Sequence, residues 1–170
     1  MTFEGMSSIR LRGTMDANAT IGVISDTHGL LRPSAVEALR GSNLIIHAGD
    51  VGRAEILGGL RAIAPVIAVR GNVDHGGWAE ALAISEVISL GGHTIYMRHI
   101  LADIDLDPKS AGFAAVIYGH SHKPEIGEKN GVVYFNPGSA GPRRFALPVT
   151  VGRLRVVAGR LDPQLITIEM

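Results

Sequence analysis

From Ala19 onward the chain alternates short apolar runs with polar or helix-compatible stretches. IGVIS (21–25), NLIIHA (43–48) and PVIAVR (65–70) each suit a strand buried on both faces. Two helices are predicted between them. One begins at Pro33, whose fixed φ suits a first helical turn, and stops at Gly41; the other covers 53–62. Strand, helix, strand, helix, strand implies right-handed crossovers and a parallel sheet at this end.

The second half changes period. VISL and HTIYM flank Gly91-Gly92, a hairpin signal, and EIGEK and VVYFN flank Asn130-Gly131, a stronger one. A short helix is expected from Pro108, followed by a buried strand at AAVIY (114–118). Alternating VTVGRLRV and LITIEM close the chain. The pattern predicts an α/β protein with one mixed sheet or two packed sheets and helices outside. No internal repeat or interior linker divides it, so one domain is expected over 19–170. Residues 1–18 read as a polar, poorly ordered lead-in without the apolar stretch of a secretory signal, and Met6 and Met15 leave the start open.

At 170 residues with 46% hydrophobic and 19% charged content, the chain can bury a core. Lys+Arg and Asp+Glu both total 16, so the basic excess of a nucleic-acid coat is missing and no stable nucleic-acid complex is expected. A small phosphate-bearing molecule stays open as a partner, because bound metals would add positive charge. With no cysteine, disulfides, thiolate zinc sites and cysteine nucleophiles are excluded. No apolar run reaches the ~18 residues of a membrane span. A cytoplasmic, membrane-free protein is the expectation, with a homo-oligomer left open.

The residues just past each apolar run change the picture most. Asp26 and His28 come after the first, Asp50 after the second and Asn72 after the third; His99 comes after TIYMR, and His120 and His122 after AVIYG. Alone, each has a bland reading as a cap, turn or satisfied polar residue. Together they place seven metal-capable side chains just past five predicted strands, the edge where α/β sheets bind ligands. Three carboxylate or amide groups and four imidazoles suit borderline divalent cations. Two such ions about 3.5–4 Å apart clamp both oxygens of an in-line displacement and acidify a shared water.

The ordered set Asp-x-His, Gly-Asp, Gly-Asn, His, Gly-His-x-His resembles that of the calcineurin-like metallophosphoesterases, particularly their small bacterial phosphodiesterase branch. The resemblance runs from about Ile21 nearly to the end. It implies a four-layer αββα sandwich of two packed mixed sheets. It also implies two divalent ions, manganese foremost, with zinc, iron or nickel as alternatives. By motif position Asp26, His28 and His122 would hold one ion, Asn72, His99 and His120 the other, and Asp50 would bridge them. The expected reaction is hydrolysis of a small phosphate ester, a diester by the subfamily resemblance, by a metal-bridging hydroxide. The alternative is a protein-interaction scaffold such as the retromer subunit of this fold. That subunit has an altered metal site, whereas all seven positions here keep coordinating side chains.

Two departures stand out. Val73 occupies the place where larger relatives carry the His that helps to protonate the leaving group, and Ile100 succeeds His99 where many carry Gly. Leaving-group protonation would then come from water, from His75, or not be needed; His75 is the side-chain candidate, with Asp50 and Asn72 as the other catalytic candidates, and its bland reading is an exposed loop residue. His47 is expected in a buried supporting role, and Asn136-Pro137-Gly138-Ser139 as a structural turn near the site. Arg143 and Arg144 are expected as a solvated pair, Trp78 as partly buried, and His93 as a non-catalytic hairpin residue.

Overall fold

The computed structural model describes residues 11–168. The strands are β1 (Leu11–Met15), β2 (Ile21–Ile24), β3 (Leu44–His47), β4 (Val66–Ala68), β5 (Ser85–Leu90), β6 (His93–Arg98), β7 (Ala115–Ile117), β8 (Glu125–Lys129), β9 (Val132–Asn136), β10 (Thr150–Val157) and β11 (Arg160–Thr167). The helices are α1 (Pro33–Leu39), α2 (Ala54–Arg61) and the single turn α3 (Gly77–Glu80). None of these is long and apolar enough to cross a membrane.

Two mixed sheets face each other. The five-stranded sheet runs β11-β10-β2-β3-β4, with β2, β3 and β4 parallel and β10 antiparallel to β2. The six-stranded sheet runs β1-β5-β6-β7-β9-β8. The completely buried runs of β2 and β3 are apolar on both faces up to His47, the last residue of β3, because both faces are covered. One face sends Ile21, Val23 and Ile46 into the inter-sheet core with Ile88, Ile95, Ile117 and Phe135. The other sends Ile24 and Ile45 against Leu39 of α1 and Leu57 and Leu60 of α2.

Several expectations need correction. Part of the lead-in expected to be disordered is β1, which pairs parallel with the edge of β5. Its mostly exposed side chains gave no apolar signal, and its partner supplies the order. Residues 1–10 lie outside the described residues. The helix expected from Pro108 is only a turn, in which the Phe113 amide donates to the Pro108 carbonyl and Gly112 takes φ +83°. The outer layer on the six-stranded sheet is therefore a loop with one 3₁₀ turn at Leu101–Asp103, not a helix. It still buries an apolar cluster, including the stacked pair Tyr96 and Phe113 with centroids 5.1 Å apart. Finally, β11 begins earlier than LITIEM and includes Pro163, tolerated because β11 is an edge strand.

Candidate metal centre

β2, β3 and β4 end on the same edge of one sheet, and β6 and β7, parallel to each other, end beside it in the other. The loops leaving these ends are laced together. The Asp26 amide donates to the Gly49 carbonyl and the His28 amide to the Asp50 carbonyl, 3.0 Å each. Across the sheets, the Ala140 amide donates to the Ser25 carbonyl and the Ser139 hydroxyl to the Asp26 carbonyl. The Asn136 side chain donates to the Gly119 carbonyl and to the Ser121 hydroxyl. The Asn136–Ser139 segment thus fastens this edge from behind, in the structural role expected of it.

The seven candidate residues converge. Asp26, His28 and His122 bring ligand-capable atoms within 4.8 Å of one another, and so do Asp50, His99 and His120. Asn72 joins the second group, its Oδ1 lying 3.1 Å from His120 Nδ1. The groups are contiguous: Asp50 Oδ2 lies 3.1 Å from His99 Nε2 and 3.8 Å from His28 Nε2, and Asp26 Oδ1 lies 3.4 Å from His122 Nε2.

Each carboxylate has one oxygen held and one presented. Asp26 Oδ2 accepts from the Ser25 hydroxyl at 2.7 Å and the His120 amide at 3.1 Å, leaving Oδ1 toward the imidazoles. Asp50 Oδ1 accepts from the Val73 amide, leaving Oδ2 toward His99. His99 Nδ1 donates to the Ala48 carbonyl at 2.7 Å, which turns Nε2 inward. The backbone is strained to do this, since Asp26, His28, Asp50, His120 and His122 all have φ between 45° and 74°. Gly71 and Gly119 permit the approach: a Cβ on Gly71 would overlap Asp50, and one on Gly119 would overlap Ser25.

The electrostatics favour cations. Burial by itself would raise the Asp26 carboxyl, but the His122 and His28 imidazoles beside Oδ1, the charge of His99 and the Ser25 hydroxyl hold it well below the usual carboxylate range. Burial likewise opposes ionisation of Asp50, and His99 with the Val73 amide outweighs it. Desolvation disfavours a charged His99, yet the Asp50 carboxylate 3.1 Å away and the charge of Asp26 raise it. Asp26 Oδ1, His99 Nε2 and His122 Nδ1 are buried with no hydrogen-bond partner among the described residues. His28 Nε2 and His122 Nε2 approach to 3.1 Å, where two lone pairs repel unless a proton or cation lies between them. Orphaned acceptors, two buried carboxylates and converging imidazoles form a donor set that fits divalent cations.

Other candidates fall outside this cluster. His75 is exposed, on the loop after Asn72. Trp78 packs partly buried against the helix-side core. His93 donates to the Gly159 carbonyl at the surface. Arg143 and Arg144 are exposed, with Arg143 donating to the Leu147 carbonyl. Val73 contributes through its backbone amide rather than its side chain. Asp74 escaped sequence reasoning. It is buried, and its carboxylate accepts from the Val51, Gly52 and Gly71 amides, tying the Asp50 loop to the Asn72 loop. Its position two residues past a candidate ligand was the available signal.

This fold and donor set define a metallophosphoesterase. The profile of the calcineurin-like phosphoesterase superfamily domain matches residues 20–159, and the chain belongs to that family. A probable metallophosphoesterase of Methanocaldococcus jannaschii is 38% identical over 169 residues, covering 94% of this chain and 84% of the relative. Among solved structures, an archaeal phosphodiesterase superposes with TM-score 0.72 at 23% identity, covering 86% of this chain and 99% of its own. Vps29 of Entamoeba histolytica in complex with zinc gives TM-score 0.66 at 23% identity, covering 87% of this chain and 98% of its own. At such identities the two structures speak to the fold.

Proposed function

We propose that the chain hydrolyses phosphodiesters, with Asp26, His28 and His122 holding one divalent cation, Asn72, His99 and His120 a second, and Asp50 between them. The observation that carries this is Asp50 Oδ2, which lies within 3.8 Å of imidazoles from both groups. Manganese is the proposed metal, with zinc, iron or nickel as alternatives: the carboxylate and amide oxygens suit manganese, and the imidazoles admit the others. When bound, such ions supply Lewis acidity toward the phosphoryl oxygens and lower the pKa of a shared water. The chain's own contribution is placement. The held oxygens of Asp26 and Asp50, the His99–Ala48 hydrogen bond and the Asp74 clamp fix the donors before substrate arrives.

His75 is the proposed proton donor to the leaving oxygen. It is exposed, titratable and three residues from Asn72, while Val73 offers no proton. The fold likeness to Vps29 supports a second reading, a scaffold without turnover.

Hydrolysis of an aryl phosphodiester decides between them. Chelation should abolish it and Mn²⁺ restore it. Asp50→Asn should cost at least about tenfold more than Asn72→Ala, a difference of ~1.4 kcal/mol, because only the former removes an anion shared by both groups. Turnover that survives metal removal would sink the mechanism, and no turnover with full metal loading would favour the scaffold. His75→Ala should slow an alkyl diester by up to ~10²-fold while sparing the aryl one, whose leaving group needs no proton. Equal effects on both would return His75 to an exposed-loop role.

A further inference from the structure

Two arginines stand immediately before the candidate metal centre, Arg98 at the end of β6 before His99, and Arg70 just past β4 before Gly71-Asn72. The two side chains line one cleft of about 140 Å³ together with Asn72, His99, Ile84 and Asp103. Both arginines are half-buried, and among the described residues neither guanidinium makes a hydrogen bond or ion pair. Asp103 sits exposed at the rim without pairing to either. Guanidinium groups without a protein partner and with their nitrogens open to solvent are available to an anion entering the cleft, and their planar donors match phosphate or carboxylate oxygens. At about 30 Å³ per water, the space holds roughly four or five waters, enough for one small anionic group. Covering of Ile84 by the arginine stems would explain their burial but not the shared opening onto two candidate ligands.

We infer that Arg70 and Arg98 form an anion subsite beside the candidate metal centre, selecting phosphate esters that carry a second phosphate or carboxylate near the scissile phosphorus. This deepens the proposed hydrolysis and rests on it. The substrate class is thereby narrowed from any diester to one with a charged arm reaching past Asn72 and His99.

Two measurements test it. The first compares diesters with the same 4-nitrophenyl leaving group and a second arm ending in hydroxyl, carboxylate or phosphate. The parent should prefer the charged arms by roughly tenfold in kcat/KM, and Arg70→Gln with Arg98→Gln should bring that ratio toward one. Single Arg→Lys variants should keep part of it. A parent without preference, or a double variant that retains it, overturns the subsite while leaving phosphodiester hydrolysis standing. The second is independent of turnover. Inorganic phosphate titrated into the zinc-supplemented full chain should shift the Nε–H resonances of Arg70 and Arg98 saturably, and Asp103→Asn should tighten the response. Unmoved resonances overturn the proposal even if no substrate is hydrolysed.

Discussion

His47 is fully buried at the end of β3, and both ring nitrogens are engaged. Nδ1 accepts from the Gly49 amide, so Nε2 carries the proton and donates to the Thr27 hydroxyl, which donates to the Val51 carbonyl. This chain is complete only for the neutral ring. Burial pushes the imidazole down from 6.5 to about 4, against the attraction of Asp26 and Asp74. As pH falls, the unfolded chain takes up the proton first. The contribution is therefore whole above 6.5 and lost as pH drops toward 4. Between pH 7 and 5 this amounts to about 2 kcal/mol. His47→Gln should remove that part of the pH dependence, read as the difference in urea-unfolding free energy at the two pH values. Equal slopes in parent and variant would refute the assignment.

At the scale of elements, β1 is the piece whose worth can be measured. It covers the edge of β5, contributes Met15 to the margin of the inter-sheet core, and carries Arg12, 3.4 Å from Glu86. A chain begun at Met15 should lose about 2–4 kcal/mol. A few backbone hydrogen bonds at ~0.5–1.5 kcal/mol each supply most of this, and the ion pair, more than half exposed on Arg12, supplies little. The freed β5 edge should also increase association. A denaturant midpoint and light scattering read both effects; unchanged values would mean that β1 only rests on the sheet. The same element shows where periodicity runs out. The buried runs of β2, β3 and β7 and both glycine-marked hairpins were legible, because each carries its own apolar or turn signal. β1 and the early part of β11 carry none, since an edge strand is ordered by its neighbour and can tolerate exposure or Pro163.

For the whole molecule, the candidate centre spans the sandwich. Asp26, His28, Asp50 and Asn72 leave the five-stranded sheet, whereas His99, His120 and His122 leave the six-stranded one. Cations held by both would tie the sheets together and relieve the crowding of Asp26 and Asp50. Metal at 100 times its Kd adds about 2.7 kcal/mol, and a domain of this size shifts its Tm by about 2–4 °C per kcal/mol. Metal-free protein should therefore melt about 5–10 °C lower, and Asp26→Ala should abolish the difference. A Tm indifferent to metal in the parent would argue against ligation by both sheets.

By itself the sequence determined which side chains stand at the strand ends, because a strand's apolar run and the turn that stops it are local. That was enough to collect all seven candidate ligands and to separate them from His93 and Trp78. It could not tell how those ends meet, since the junction depends on β6 and β7 being brought beside β2 by packing of two separate sheets. Nor could it show that Asp74 would be buried under three amides, or that Arg70 and Arg98 would share one unpaired cleft. Burial and pairing belong to contacts between residues distant in the chain, and only the tertiary structure decides them.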